Sequence, residues 1–314
     1  MDSRQLRYFA AIHEAGSVSR AAESLNIAAS ALSHHLTNLE AELGTQLFER
    51  KPRGMQPTAA GERLYEHARG ILKAIRAATD DIRDEGREVA GEVSVGMAYS
   101  AVKAIGVDLM KRVLTDYPRL KLTLSESLSG STLVHLLTSE IDIAVVFNPP
   151  NDPKLRSQPI IEERMVCIGR PEIIGETDAP ITFQALLDLP IILLRQGLSA
   201  RAILDDASLL RRLEARARLQ LNSVQAIAGC LSEGLGCIVG TNLFMRDLID
   251  RGELHTRPII EPNLTRTLHI CERSDRPATF ALETVRRMIL DQISMAVSTG
   301  HWDASPCVSE AQSG

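Results

Sequence analysis

The feature that most constrains the fold is a change of hydrophobic period near residue 90. Before that point, apolar residues recur every three to four positions, which is the period of amphipathic α-helices. From Glu92 onward, short runs such as EVSVGMA and IDIAVVF alternate with helical segments. A β-α-β-α-β order predicts a parallel sheet covered by helices. The 314 residues are therefore expected to form an all-α N-terminal unit and a larger α/β unit.

Three helices are predicted before residue 45. The first ends at Gly16, and Ser17 is expected to cap the second, VSRAAESL, through its side-chain oxygen. The third runs from about residue 28 to Leu43 and ends at Gly44. Because only two residues connect the second helix to the third, the two must cross steeply. This is the helix-turn-helix arrangement.

The third helix carries two adjacent histidines, His34 and His35. Four leucines of this helix share one face, and at ~100° per residue His34 lies opposite that face while His35 lies beside it. The two rings diverge and cannot chelate one ion, because chelation on a helix needs histidines at i and i+4. No metal site is predicted. The polar side chains of the opposite face and its flanks are Ser30, Ser33, His34, Thr37 and Asn38.

Such a polar face suits the major groove of DNA, where short donors and acceptors reach base edges. A merely solvated face is the alternative. The segment that follows, LFERKPRGMQPT, contains two prolines and a glycine and is expected to form a small hairpin or wing. Its cations, Arg50, Lys51 and Arg53, are placed to hold phosphates.

Thr58 is expected to cap a long helix with a heptad seam. Its apolar positions follow one another at spacings of 4, 3, 4, 3 and 4, and they are Leu64, Ala68, Ile71, Ile75, Ala78 and Ile82. A seam of this kind needs a partner helix, and the simplest partner is a second copy of the same chain. The polar segment RDEGREVAGE then ends the helix.

Two consecutive α/β units, joined near residues 155–162, predict a two-lobed body with a cleft. Ligands of such sheets bind beyond the carboxyl ends of the strands, where helix N-termini favour anions. The candidate effector-binding residues at these ends are Tyr99, Ser100, Ser129, Gly130, Ser131, Thr132, Phe147, Asn148, Gln196, Ser199, Asn222 and Ser223. Each hydroxyl is equally suited to capping a helix. Their convergence favours a small anionic effector.

Several function classes are excluded or disfavoured. No apolar run approaches ~20 residues, the N-terminus does not read as a signal peptide, and a cytoplasmic protein is expected. Five scattered cysteines argue against disulfides and zinc; a redox pair of Cys230 and Cys237 is the alternative to buried thiols. The run GLGCIVG enters a strand instead of leaving one, so it is no dinucleotide fingerprint. No catalytic constellation is found, and neither an enzyme nor a cofactor is predicted.

The stretch SVSRAAESLNIAASALSHHLTNLEAELGTQLFERKPRGMQPTAAGERL resembles the winged helix-turn-helix of LysR-type transcriptional regulators. IAASALSHHLTNLE and ARGIL are most similar to members acting in nitrogen-assimilation control. The resemblance implies that Ser30, Ser33, Arg50 and Arg53 contact DNA. It also implies a periplasmic-binding-protein-like effector domain, and tetramers built as dimers of dimers.

The sequence departs from the family at the DNA-reading helix. Ala29 stands where the family commonly has glutamine, and His34-His35 stand where it has Arg-Gln. Losing a long amide and a guanidinium removes bidentate base contacts, each worth about 1–3 kcal/mol of discrimination. The half-site recognised is therefore expected to differ from the usual one.

These inferences combine into one architecture. An N-terminal all-α winged helix-turn-helix spans 1–60, a linker and dimerisation helix spans 61–88, and a C-terminal α/β two-lobed effector-binding domain spans 89–300. Lobe I is expected at about 92–160 and 267–300, lobe II at about 163–266, and a mobile tail at 301–314.

The predicted function is sequence-specific transcriptional regulation modulated by an effector bound between the lobes. The partners are double-stranded operator DNA, a small-molecule effector, further copies in a homodimer or homotetramer, and RNA polymerase if the protein activates. No membrane partner is expected. The alternative is a small-molecule sensor whose helical head contacts proteins. Loss of duplex affinity at low salt would favour that alternative.

Overall fold

The structure is a computed structural model that describes residues 1–52, 54–83, 89–194 and 206–307. The predicted roles of Arg53, Gln196 and Ser199 lie outside the described residues. The chain divides into two compact units, one containing the helical N-terminal region and one containing the α/β region.

The N-terminal unit follows the predicted order of three helices, a hairpin and a long helix. Its elements are α1 (Ser3–Ala15), α2 (Val18–Ser24), α3 (Ala29–Leu43), β1 (Phe48–Lys51), β2 (Gly54–Pro57) and α4 (Ala59–Arg83). Gly16 and Gly44 end α1 and α3 in the left-handed conformation, and Ser17 accepts a hydrogen bond from the Arg20 amide at the start of α2. Thr58 accepts from the Gly61 amide at the start of α4. The predicted caps are confirmed.

One apolar core holds these helices together. Leu6 and Phe9 of α1, Leu32 and Leu39 of α3, and Ala68 of α4 are all buried in it. The connection between α2 and α3 needs a left-handed residue, which Asn26 supplies with φ of 54°. Asn26 thus serves the turn, whereas Ala28 at the N-cap of α3 provides no side-chain cap.

The predicted seam of α4 divides into two parts. Leu64 is half-buried and Ala68 fully buried, and both pack into the core of the N-terminal unit. The expectation that all six positions face a partner helix is therefore wrong for these two, because the core of the N-terminal unit already covers them. The remaining positions, Ile71, Ile75, Ala78 and Ile82, are exposed.

Lobe I of the C-terminal unit contains the predicted parallel β-α-β-α-β arrangement. Its strands are β3 (Gly91–Met97), β4 (Leu120–Glu126) and β5 (Ile143–Phe147), which pair in parallel in the order β4-β3-β5. Its helices are α5 (Tyr99–Ala101), a π-helical turn (Val102–Gly106), α6 (Val107–Asp116) and α7 (Ser129–Leu137). All five residues of β5 are buried, which agrees with its uninterrupted apolar run.

Lobe II differs from the parallel repeat that the sequence suggests. Its elements are β7 (Val166–Gly169), α8 (Pro171–Ile174), β8 (Ile181–Thr182), α9 (Phe183–Leu186), β9 (Ile192–Leu194), α10 (Ala207–Arg216), β10 (Leu219–Leu221), α11 (Val224–Ser232), β11 (Cys237–Gly240), a 3-10 turn (Asn242–Met245), α12 (Arg246–Asp250) and β12 (His255–Ile260). β7 pairs antiparallel with both β11 and β12, while β9 and β10 pair in parallel. The sequence pattern does not predict β12, because Arg257 and Pro258 precede its only two adjacent apolar residues, Ile259 and Ile260.

Two long strands, β6 (Leu155–Arg164) and β13 (Thr265–Arg273), pair antiparallel in the lobe I sheet; β6 leads into lobe II, and β13 leads back from it. The segment near 155–162, expected to be a connection, is thus a strand. α13 (Phe280–Ser298) then packs on lobe I, and β14 (Ser305–Pro306) pairs with β6.

The residues after α13 correct the expectation of a mobile tail for 301–307. Trp302 is 1% exposed and lies in the core of lobe I. Its indole N–H donates to the Glu163 carboxylate. A short segment without periodicity is fixed here by one large side chain and one polar partner. Residues 308–314 lie outside the described part.

The cysteines do not form the Cys230–Cys237 pair that was one alternative. All five are free, and Cys237 is buried in the lobe II core beside Cys167. A hydrogen bond with the Cys237 thiol, together with burial, raises the pKa of Cys167 well above its usual value. In GLGCIVG, Gly234 ends the α11 region with φ of +69° and β11 starts at Cys237, as the sequence predicts.

Candidate functional site

The polar face of α3 is exposed as the helical period predicts. Leu32, Leu36 and Leu39 are buried, while Ser30, His34, Thr37 and Asn38 are exposed and Ser33 is half-buried. We call these five polar residues the recognition face. The recognition face belongs to the second helix of a helix-turn-helix. It contains no lysine or arginine, so it offers hydrogen-bonding groups to a ligand.

His34 and Asn38 form a pair on this face. The Asn38 side-chain nitrogen lies 3.2 Å from His34 Nδ1, so the amide nitrogen donates to the ring. This bond uses the amide nitrogen, so the carbonyl oxygen of Asn38 is the acceptor that the pair offers. Thr37 donates its hydroxyl to the Ser33 carbonyl at 3.1 Å and keeps only acceptor capacity for a ligand.

His35 belongs to the packing of the unit, as predicted. It is half-buried, and its ring centroid lies 4.9 Å from that of Tyr8 in α1. The rings of His34 and His35 are 6.5 Å apart and nearly perpendicular. Within the described chain, no group of three or more His, Cys, Asp or Glu side chains is arranged to hold a metal ion.

The hairpin of β1 and β2, which we call the wing, is fixed against α1 through Gly54. The Met55 amide donates to the Gly16 carbonyl at 2.9 Å. Gly54 has φ of +126°, and a Cβ there would lie 2.4 Å from the same carbonyl oxygen. Only glycine fits both the backbone conformation and this contact.

Two described cations of the wing are exposed and differ in their surroundings. Lys51 Nζ lies 2.6 Å from Glu49 Oε2, and this contact lowers the pKa of Glu49. Arg50 forms no ion pair with any residue that the structure describes. The Glu40 carboxylate accepts from the Leu47 amide at 2.7 Å and thereby fixes the connection from α3 into the wing.

The C-terminal unit contains a cavity of about 630 Å³ between the two lobes. Residues at the ends of β3 and β4 contribute one wall, and residues around the start of α11 and of α12 contribute the other. Its lining comprises Tyr99, Lys103, Glu126, Ser127, Leu128, Asn222, Ser223, Val224, Gln225, Ala228, Phe244, Met245, Asp247 and Leu248. This volume is in the range of small-molecule sites.

Three of the predicted effector-binding residues, Tyr99, Asn222 and Ser223, line this cavity. Ser223 also caps α11, where it accepts from the Ala226 amide at 3.3 Å. The described lining contains two carboxylates and one lysine, so its charged side chains do not by themselves favour the expected anionic effector.

The other described candidates are absent from the lining and mostly serve the fold. Ser129 accepts from the Phe147 amide, and the Asn148 side chain accepts from the Thr267 amide. Thr132 is fully buried and bonds to Ser127 and Leu128. Phe147 and Gly130 are buried, and Ser131 is exposed outside the lining. These side chains bond within lobe I, and the bonds differ from the helix caps that the sequence left open as the alternative for the hydroxyls.

The sequence reading missed the charged residues of the cavity. Lys103 follows Tyr99 by one helical turn, Glu126 ends β4, and Asp247 begins α12 after β11. The signal that could have identified Glu126 is its place at the carboxyl end of a parallel strand. Lys103 and Asp247 belong together only through the fold, because 144 residues separate them.

A buried ion pair lies near the cavity, where β6 and β13 meet lobe II. Arg266 Nε donates to Glu163 Oε2 at 2.6 Å, and its Nη2 donates to the Ser100 hydroxyl at 3.0 Å. The guanidinium carbon lies 3.6 Å from the centroid of the Phe147 ring. Ser100 and Phe147, which were expected to bind an effector, are thus engaged by this arginine. The sequence contains no local signal for the pair, since 103 residues separate its members.

Comparison with known proteins gives matches to both units. The family described as "LysR substrate binding domain" matches residues 86–294, and that described as "Bacterial regulatory helix-turn-helix protein, lysR family" matches residues 3–62. The nitrogen assimilation regulatory protein Nac of Klebsiella aerogenes is 29% identical over 295 residues, which cover 94% of this chain and 96% of the relative.

Solved structures agree in fold over nearly the whole chain. A full-length OxyR variant from Pseudomonas aeruginosa has a TM-score of 0.71 at 21% identity, covering 94% of this chain and 95% of that one. Full-length CbnR in complex with its target DNA has a TM-score of 0.64 at 20% identity, covering 94% and 100%. Across the described residues, no helix is long and apolar enough to cross a membrane.

Proposed function

This chain belongs to the LysR family of DNA-binding transcriptional regulators with an effector-binding domain, and from that premise we propose which residues carry the function. The recognition face of α3 enters the major groove, and the wing holds the adjacent backbone. The observation that carries this proposal is the exposed row of Ser30, His34, Thr37 and Asn38 opposite three buried leucines. The protein acts in the cytoplasm, where operator DNA is found.

Base reading is assigned to the His34–Asn38 pair. A side-chain carbonyl whose amide group is held by a neighbouring ring suits the exocyclic amino group of adenine or cytosine. Asn38→Ala is expected to relax base preference at one position of the half-site, with an affinity cost of about 1–3 kcal/mol for the preferred base only. Selection of binding sites from random duplexes by the wild type and by Asn38→Ala measures this. An unchanged selected half-site would refute the assignment.

Backbone contact is assigned to Arg50. Arg50→Ala is expected to weaken binding to all duplexes alike and to reduce the slope of log affinity against log salt by about 1. Lys111→Ala, which removes an exposed cation from α6, is the matched control and should leave the slope unchanged. A steep salt dependence also separates this function from the alternative of a sensor whose head binds proteins.

The exposed part of the α4 seam is assigned to pairing between two copies. Ile71, Ile75, Ala78 and Ile82 keep heptad spacing, are exposed and do not belong to the core of the N-terminal unit. Two paired heads imply an inverted repeat in the operator. Homotetramers built from such dimers, and contact with RNA polymerase if the protein activates transcription, complete the proposed set of macromolecular partners.

The cavity between the lobes is assigned to the effector, with Tyr99, Asn222 and Ser223 among its contacts. Because the lobes are joined by β6 and β13, a ligand that favours one lobe arrangement shifts the population of states. The expected result is an operator footprint that changes when the effector is added. The same footprint with every bound ligand would contradict the allosteric part of the proposal.

A further inference from the structure

The charges that line the cavity bear on the class of effector. Three described side chains of the lining are charged: Lys103, Glu126 and Asp247. Lys103 Nζ lies 2.9 Å from Asp247 Oδ2, and this hydrogen bond is the main cause that lowers the pKa of Asp247. The positive charge of Lys103, on the lobe I wall, is thus already balanced by a carboxylate of the lobe II wall.

Glu126 is left as the net charge of the described lining. It is exposed at the end of β4, and it forms no hydrogen bond or ion pair with any residue that the structure describes. Burial, followed by the negative charges of Asp247 and Glu126, raises the pKa of Tyr99. The Tyr99 hydroxyl, Asp247 and Glu126 therefore share one negatively charged region of the cavity.

Aromatic and apolar side chains line the same cavity, together with the uncharged polar residues Ser127, Asn222, Ser223 and Gln225. The rings of Tyr99 and Phe244 meet edge to face with centroids 5.5 Å apart. Leu128, Met245 and Leu248 continue the apolar surface. An unpaired carboxylate beside aromatic rings is the environment that a protonated amine on an apolar body needs, since it offers a charge-assisted hydrogen bond and cation–π contact together.

We infer that the effector is a small molecule with a protonated amine on an apolar body, and that Glu126 binds the amine. The inference rests on the proposed effector site. A ligand whose only charge is a carboxylate would add a second uncompensated negative charge to this region. An amine effector therefore replaces our expectation of an anionic one. That expectation rested on helix N-termini, each of which supplies only about half a positive charge. Amines and amino acids share this chemistry, because the start of α11 can accept the carboxylate of an amino acid.

Matched ligands test the inference on the full chain by calorimetric titration. Each set contains an amine, the corresponding amino acid and the acid without the amine: isoamylamine, leucine and 4-methylpentanoate; phenethylamine, phenylalanine and 3-phenylpropionate; pentylamine, norleucine and hexanoate. In at least one set, the amine or the amino acid is expected to bind about tenfold or more tightly than the acid, as one charge-assisted hydrogen bond provides. If the amino acid binds more tightly than the amine, the effector is closer to an amino acid than to a simple amine.

Variants connect the preference to Glu126. Glu126→Gln is expected to lose the preference, whereas Asp108→Asn, which removes an exposed carboxylate outside the cavity, should keep it. Glu126→Lys should reverse the order, so that the acid binds best; this gain of binding cannot come from misfolding. Binding of acids in preference to amines by the wild type, or binding of no member of any set, would overturn the inference. Operator binding without ligand, measured on the same preparation, tests the proposed regulator function separately.

Discussion

At the scale of single residues, Gly54 shows how strictly one position is determined by its neighbours. Its φ of +126° is unfavourable for any L side chain. A Cβ there would lie 2.4 Å from the carbonyl oxygen of Gly16, the residue that ends α1. Gly54→Ala is expected to destabilise the N-terminal unit by about 1–3 kcal/mol and to weaken operator binding, because the wing must leave α1. Urea unfolding and duplex titration measure both effects.

Gly229→Ala provides the matched control in the other unit. Gly229 lies inside α11, and a Cβ there would meet nothing within 4 Å. The substitution is expected to stabilise the chain by about 0.5–1 kcal/mol, because alanine loses less backbone entropy in a helix. If both variants were equally stable, the contact of Gly54 with Gly16 would not be the cause of the predicted loss.

At the scale of elements, α4 serves two structures in succession. Its first turns complete the core around Ala68, and its later turns expose Ile71, Ile75 and Ile82 at 41%, 46% and 80%. Ile75→Glu is expected to raise the dimer dissociation constant about tenfold or more, because a charge would be buried at the pairing surface. Sedimentation equilibrium measures the shift, and operator affinity should fall with it.

Arg63→Glu is the matched control for the α4 seam. Arg63 is exposed on the same helix but lies outside the heptad positions. Its substitution introduces the same residue without placing it on the seam, so the dimer dissociation constant should not change. Equal effects of both variants would show that helix charge, and not the seam, controls association.

At the scale of the whole molecule, a buried ion pair joins β6 to β13, and its carboxylate also binds Trp302 in the segment after α13. Glu163 is completely buried between Arg266 and Trp302. Glu163→Gln leaves the Arg266 guanidinium without its counter-charge and is expected to destabilise the C-terminal unit by about 3–5 kcal/mol. Denaturant unfolding measures this cost. The neighbouring Glu162 is exposed, so Glu162→Gln should change stability by no more than about 0.5 kcal/mol.

The sequence by itself determined the local elements of this protein. Backbone conformation and hydrophobic period act over a few residues and can therefore be recognised locally. They account for the caps at Gly16, Ser17 and Thr58, for the leucine face of α3 and for the buried run of β5. The separation of His34 from His35 follows in the same way. The change of hydrophobic period predicted the two units, the family resemblance supported the DNA-binding role of the first, and the comparisons confirmed both.

Only the tertiary structure decided which side chains meet across the chain. The sequence contains no short-range signal for the pairing of Lys103 with Asp247 or for the burial of Trp302 against Glu163. Nor does it indicate that Glu126 lines the cavity without a partner among the residues that the structure describes. The same holds for the hydroxyls of Ser129 and Thr132, which local pattern could not assign to a ligand or to the fold. Electrostatic and hydrogen-bonding partners depend on the distance between side chains in space. They could not be predicted here because a single sequence gives only the separation of residues along the chain.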